Sequence, residues 1–417
     1  MYPKILSALR THTFRQSIIT VTSTFLAAGL GAVFYLLLAR LIGAHEYGLF
    51  SISITIVTLL VTVADVGMGQ GIIRFVAQNK NDTGYFPYAN LAFRTKLVIS
   101  ASLWSILWVF AKPLAHLIRQ PEVAHLLPLV GFGVFSQLLI SFNSALFQAL
   151  EKFFLWGGLQ VGANLFRLVF LGLLVMFTPL SAYWGIILFS LAAFSGFLVS
   201  WIWVDKRILV SQIQAHQSRE FWHFNKWTAA FVITSSIVSR ADTLLTARFL
   251  TLSQTGVYAL AATMVAFLPQ LSGAIGAVTA PKFAGFSKNT DSQVYLRKAT
   301  LFSIGTSVLV AAVMIPVAMF VVRFTGRDFT GAITPFLVLL GSLSIFTFLN
   351  PVRDSILYFY HRPHFFFWVS LVQGLVLLVS GLILIPAWGV LGTATSVLIS
   401  HFVLAVLCVC YYFKISR

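Results

Sequence analysis

The chain has 417 residues, of which 59% are hydrophobic and only 9% charged. A soluble domain carries about 25% charged residues, so this composition excludes a large soluble enzyme and describes a chain whose solvent is mostly lipid. The formal net charge of +17 would suit a nucleic-acid binder, but the basic residues fall at the ends of apolar runs, where they report membrane orientation.

Runs long enough to cross a hydrocarbon core, which takes about 20 residues, recur along the chain. Helices are predicted over 17–43, 47–74, 95–118, 123–150, 153–178 and 181–204. A hydrophilic stretch, DKRILVSQIQAHQSREFWHFN at 205–225, separates these from 226–250, 254–282, 297–324, 330–360, 363–385 and 388–413. Two runs are too long for one span, and they break at Thr178-Pro179 and near Pro386. The expectation is an all-α polytopic membrane protein with about twelve transmembrane helices. Its parts would be an N-terminal segment 1–16, a first lobe 17–204, a linker 205–225 and a second lobe 226–417. Six spans per lobe set both lobes the same way up, as a parallel repeat about an axis along the membrane normal.

Most basic residues fall at the termini and the even-numbered connections, among them Lys4, Arg10, Arg15, Arg74, Lys80, Arg94, Lys96, Lys206, Arg207, Lys282 and Lys288. Arg40, Lys112, Arg119, Arg248, Arg323 and Arg327 fall in the odd-numbered ones, and Arg167, Arg240 and Arg353 at membrane depth. That asymmetry predicts cytoplasmic termini in the cell's inner membrane. No small-residue cleavage site precedes the first apolar run, which reads as an uncleaved span. Cys408 and Cys410, two apart on one helix, cannot face one another. The chain contains no GxxxxGK[ST], HExxH or GxSxG, so a transporter without cofactor or metal is expected and an enzyme is not.

An ionisable group inside a membrane helix is expensive unless it faces water, a partner or a bundle interior. In the second predicted helix Ser51, Thr55, Thr58, Thr62, Asp65 and Gly69 follow at steps of three or four and share a face. The stripe reads as the wall of a water-filled cavity or as glue between helices. In the seventh, Thr228, Ser235, Ser239, Asp242 and Thr246 form a similar stripe. Arg240 borders it from the adjacent edge, two residues from Asp242 and so not its direct partner; the alternative is that one of the two, Arg240 before Asp242, neutralises a charge on a neighbouring helix. The fifth carries a shorter polar face of Gln160, Asn164 and Arg167, and the tenth a Pro351 kink beside Arg353 and Asp354. Pro269 marks a further kink in the eighth.

The chain also repeats itself. ARLIGAHEYGLF at 39–50 returns as ARFLTLSQTGVY at 247–258, with Arg40 and Arg248, and Gly48 and Gly256, each 208 residues apart. Arg74 of IRFVA and Lys282 of PKFA keep the same offset. A duplicated half in so apolar a chain is how many transporters are built, with the substrate site where the repeats meet.

Together with DVGMGQGIIRFVA at 65–77 and SRADTLLTARFL at 239–250, these motifs resemble the polysaccharide-transport family. That family includes the Wzx-type O-antigen flippases, within the multidrug/oligosaccharidyl-lipid/polysaccharide exporter superfamily. The residues that match its pattern are Ala39, Arg40, Gly43, Tyr47 and Gly48, then Asp65, Gly67, Arg74 and Phe75, and in the second half Asp242, Arg248, Gly256 and Tyr258. Thr251 departs from it, standing where the family usually has glycine.

The resemblance implies a V-shaped alternating-access transporter with helices one, two, seven and eight lining a central cavity. Its cargo would be an undecaprenyl-diphosphate-linked oligosaccharide, moved from the cytoplasmic to the outer leaflet for surface polysaccharide biosynthesis, alongside a polymerase and chain-length machinery. Arg40, Arg74, Arg240, Arg248 and Lys282 are the candidate diphosphate contacts, because guanidinium groups satisfy phosphate oxygens two at a time. Thr58, Thr62, Ser235 and Ser239 would line the cavity, and Asp65 and Asp242 would bind a coupling proton or sodium ion. The alternatives are a cation or drug antiporter, which needs a net-negative cavity, and a membrane glycosyltransferase or polymerase, which needs acidic residues on a large outer loop.

Overall fold

The computed structural model describes residues 12–79 and 83–416, and these are all-α with no strand. Lys4, Arg10, Lys80 and most of the segment 1–16 lie outside the described residues, as do the side chains of Arg15 and Thr228. Among the described residues ten helices are long and apolar enough to cross a membrane. One of them, Ile18–Asp65, is long enough for two spans, and the helix predicted at 226–250 is too polar to be counted by composition.

The first two predicted helices are continuous as α1, His12–Asp65, except at Gly43, whose φ of 74° and ψ of 174° only glycine adopts freely. The second of them ends earlier than predicted. Val66 and Gly67 both take positive φ, and a separate helix α2, Met68–Gln78, follows. The break is stabilised locally, since the Asp65 carboxylate accepts the Gly69 backbone N–H at 2.9 Å and so satisfies an otherwise unpaired donor in the first turn of α2.

Helix α3, Phe86–Val109, begins nine residues before the predicted 95. Pro87 in its first turn is a start signal that costs no hydrogen bond there. The early start brings Arg94 into the helix and sets Lys96 about three turns inside it rather than at its edge. Asn90 and Arg94 donate to the Leu209 carbonyl, each at 3.2 Å, and tie down the stretch after the sixth predicted helix. There Asp205 and Arg207 pair at 2.6 Å in an exposed turn, and the Arg207 fork holds the Asp205 carboxyl below its ordinary range.

Then come α4 (Ala111–Ile118), α5 (Leu127–Ala149), α6 (Phe153–Val175) and α7 (Ala182–Ser200). Helix α8, Ala215–Phe249, starts eleven residues before the predicted 226. The eighth predicted helix is two pieces, α9 (Leu252–Val265) and α10 (Phe267–Gly285), with Pro269 in the first turn of α10, where a proline is tolerated. Helices α11 (Asn289–Thr325), α12 (Ile333–Phe348), α13 (Asn350–Asp354), α14 (Pro363–Trp388) and α15 (Val390–Ser416) complete the chain. The tenth predicted helix is broken into α12, α13 and a π-helical turn, Ser355–Phe359, beyond Pro351. The last long run breaks at Gly389, φ 59°, with Pro386 inside α14.

The chain forms two compact units, Met1–Leu38 with Ser53–Ser236, and Ala39–Ile52 with Ile237–Arg417. The first has an aromatic core in which Phe75 stacks on Tyr88 at 4.9 Å and tilts against Phe221 at 5.7 Å. The second holds the stretch 39–52 against α9 through the repeated motif itself. A Cβ on Gly48 would strike the Leu252 carbonyl, and one on Gly256 the Ala44 carbonyl, so only glycine permits this backbone contact. Tyr47 beside the first glycine is 1% exposed, shares a hydrogen bond of 3.2 Å with Thr263 and meets Phe329 edge-on.

Candidate functional site

The polar stripe on the second half of α1 ends in an ion pair. Asp65 Oδ1 lies 2.5 Å from Lys96 Nζ on α3. Lys96 is fully buried and also donates to Ser141 Oγ on α5 at 2.8 Å. Sequence reasoning missed Lys96 because it counted the residue with a connection, at the helix edge; the signal available was Pro87, which opens the helix early enough to carry Lys96 inside. Along the rest of the stripe Thr55 is buried and Thr58 and Thr62 are half-buried. Their hydroxyls turn back to their own helix, Thr58 to the Thr55 carbonyl at 3.1 Å and Thr62 to the Thr58 carbonyl at 2.8 Å. That spends the donors and leaves oxygen lone pairs outward.

Asp242 on α8 is satisfied differently. Its Oδ2 accepts the Tyr258 hydroxyl of α9 at 2.6 Å, and its Oδ1 accepts the Thr243 backbone N–H at 2.6 Å and the Thr243 hydroxyl at 3.2 Å. Below it Thr246 donates to the Asp242 carbonyl at 2.7 Å and meets Thr393 of α15 at 2.9 Å. The family-type tyrosine of the second half, Tyr258, is thereby a buried donor to the family-type aspartate. Ser235 bonds back to the Val232 carbonyl at 3.1 Å, and Ser239 is exposed.

The candidate cations lie on several helices and meet different neighbours. Arg40 is exposed and stacks over Phe324 at 4.3 Å; Arg74 is exposed and stacks over Phe224 at 4.5 Å; Lys282 is exposed above Tyr295 at 5.2 Å. Arg240 is exposed and Arg248 half-buried, about 12 Å apart along α8 at 1.5 Å rise per residue. Arg74 belongs to the first unit and the other four to the second. Arg353, beyond the candidate set, lies over Phe346 at 4.4 Å, while its neighbour Asp354 accepts the Thr279 hydroxyl.

The profile of the family described as polysaccharide biosynthesis protein matches residues 37–322. The chain belongs to that family. A stretch of 138 residues, 33% of this chain, is 28% identical to the succinoglycan biosynthesis transport protein ExoT of Rhizobium meliloti (strain 1021) and spans 26% of that relative's length. The fold is that of the lipid II flippase MurJ in an inward closed conformation, with a TM-score of 0.77 over 96% of this chain and 90% of that one at 15% identity. It is also that of an inward-facing multidrug resistance MATE transporter of the MOP superfamily, with a TM-score of 0.72 over 92% and 98% at 12% identity. A MOP superfamily transporter from Pyrococcus furiosus Vc1 (DSM3638), described by the reversed polarity of its binding pocket, shares it too, with a TM-score of 0.62 over 96% and 94% at 12% identity. The family match and the long apolar helices make this a multi-pass membrane protein of the polysaccharide biosynthesis family.

Proposed function

We propose that the protein is an alternating-access flippase of the inner membrane that moves an undecaprenyl-diphosphate-linked oligosaccharide from the cytoplasmic to the outer leaflet. The reading is carried by the balance of charge at depth. Lys96 cancels Asp65, so the membrane-depth cations Arg167, Arg240 and Arg353 outnumber the two acids left there, Asp242 and Asp354, that would attract a cationic drug. Family membership and the MurJ-like fold support the same direction, and transport rather than catalysis. In this reading exposed Arg240 takes the diphosphate at depth, with Arg40, Arg74, Arg248 and Lys282 as further contacts on its route. Asp242, whose bonded donors are all neutral, takes up the coupling proton or sodium ion.

Deletion of the gene should abolish a surface polysaccharide while its lipid-linked precursor accumulates facing the cytoplasm. Purified protein in proteoliposomes should then flip that precursor. A deletion strain that makes no precursor at all would place the protein upstream as an enzyme and sink the flippase reading. The membrane orientation has its own test. Single cysteines at Lys288 and Arg327, in a chain lacking Cys408 and Cys410, should be labelled from opposite faces, Arg327 from outside. Outside labelling at both would overturn the cytoplasmic placement of the termini.

A further inference from the structure

Arg167 is a buried cation of the first unit that the proposed route leaves aside. It sits in the membrane-spanning α6 and is 8% exposed. Nη1 donates to Asn164 Oδ1 at 3.1 Å, and the guanidinium lies over Phe189 at 4.2 Å and Phe34 at 6.0 Å. Among the described residues no carboxylate pairs with it, and its Nε–H is buried with no acceptor. An arginine does not shed its proton, so this charge is permanent. Lone charges at membrane depth persist where they face a partner, water or a ligand. The two aromatic faces offset part of the desolvation, but they offer nothing to the Nε–H.

The surroundings hold the group in one orientation. Asn164 donates its own amide to the Gln160 carbonyl at 3.0 Å, which turns its oxygen toward Arg167. Helix α6 packs along the first half of α1. A Cβ on Gly157 would meet Ser23 Oγ at 2.5 Å, and one on Gly31 would lie 3.3 Å from Asn164 Oδ1. On α1 Tyr35 lies within electrostatic reach of Arg167 but is neutral, and the hydroxyls further toward the N-terminus are already spent. Thr20 bonds to the Gln16 carbonyl at 2.9 Å, and Ser23 and Thr24 to the Thr20 carbonyl at 3.1 and 2.8 Å. The seam between the helices therefore positions the arginine without neutralising it.

We infer that Arg167, oriented by Asn164, is an oxyanion site of the first unit, taking a phosphate or carboxylate oxygen on its Nε–H edge. That edge is half of the planar fork by which a guanidinium grips an oxyanion through parallel bonds. Two sources present the same oxygens, an acidic group of the cargo and the phosphate of an anionic phospholipid; the first of them rests on the transport reading. The site explains both the missing carboxylate and the buried unpaired donor, which a packing role leaves unaccounted for.

The test uses the full-length protein in nanodiscs of phosphatidylcholine, with thermal unfolding followed as inorganic pyrophosphate is added, and again with phosphatidylglycerol in the bilayer. At least one of the two anions should raise the unfolding temperature of the wild type saturably. In Arg167→Gln the half-saturating amount should rise about tenfold or more, with Arg167→Lys between the two. Without added anion Arg167→Met should unfold at a higher temperature than the wild type, because it removes an uncompensated buried charge. A response to pyrophosphate identifies a cargo group as the source, and a response to phosphatidylglycerol alone identifies the bilayer. Equal responses in wild type and Arg167→Gln, or an Arg167→Met less stable than wild type, would make the guanidinium a packing element and end the inference. A protein that keeps the Arg167-dependent response yet flips no lipid-linked glycan loses the transport reading and retains this one. A protein that flips glycan with Arg167→Gln unchanged in rate and anion response does the reverse.

Discussion

Asp65 in the first unit faces a buried ammonium at 2.5 Å, whereas Asp242 in the second is held by a phenol, a hydroxyl and a backbone N–H, none of them charged. Both aspartates end or border a polar stripe, and by sequence they look alike. Their surroundings give them different uses. A carboxylate locked to lysine is neutral as a pair, and a second cation could bind it only by displacing the first. A carboxylate held by neutral donors has no cation bonded to it, and in the proposed reading a proton or sodium ion takes that place. Among the described residues Arg167 of the first unit thus has no carboxylate bonded to it, and Asp242 of the second accepts only neutral donors.

The largest expected effect comes from breaking the ion pair. Lys96→Met should leave the half-buried Asp65 without its cation and destabilise the protein by about 3 kcal/mol, the low end for a partner lost from a buried pair. Adding Asp65→Leu to it should recover most of that loss, measured as thermal unfolding in detergent. A single mutant as stable as the wild type would mean that solvent at the exposed edge of Asp65 replaces the lysine, and the contrast between the units would dissolve.

Next in size, Arg240→Gln should cost transport the equivalent of about 1.5–3 kcal/mol, one charge-assisted contact, with Lys rescuing only in part. Flipping rates in proteoliposomes decide this, and a rate unchanged in Arg240→Gln would remove Arg240 from the substrate route.

Tyr258→Phe is expected to cost about 1–3 kcal/mol of stability, since it leaves one Asp242 oxygen without its donor. It should also make uptake of the coupling ion more favourable, shifting half-maximal transport to lower ion concentration. A shift toward higher concentration would make the tyrosine part of the ion's own coordination.

Asp242→Asn should cost only about 1 kcal/mol, because its single amide oxygen can accept from Tyr258 or from Thr243 but not both, yet it should abolish the dependence of flipping on an imposed ion gradient. Asp65→Asn is the counterpart and should leave that dependence intact while lowering stability. Gradient dependence lost in Asp65→Asn and kept in Asp242→Asn would reverse the assignment of roles.

Much of this was legible along the chain, for reasons that are local. Apolar runs of membrane length and the 208-residue repeat establish an all-α, duplicated membrane protein, because both are properties of consecutive residues. Family membership was legible for the same reason: the motif residues are read in order. The repeated glycines were visible as a spacing, but their purpose was not. Gly48 and Gly256 are glycines because two backbones touch there, a contact between segments about half the chain apart. Helix boundaries were read less well where the local signal was ambiguous, as at Val66-Gly67, which interrupts an otherwise helical pattern, and at Pro87, which starts α3 inside what composition suggests is a loop.

The aspartates mark the limit of what sequence alone determines here. One dimension shows that Asp65 and Asp242 lie at membrane depth and must be compensated, since burying a bare charge is prohibitive wherever it occurs. Only the packing of α1 on α3 and of α8 on α9 decides what compensates them, because a lysine 31 residues away and a tyrosine 16 residues away become neighbours through the path of the backbone. The same holds for Arg167, whose lack of a carboxylate depends on every helix around it and on no stretch of sequence.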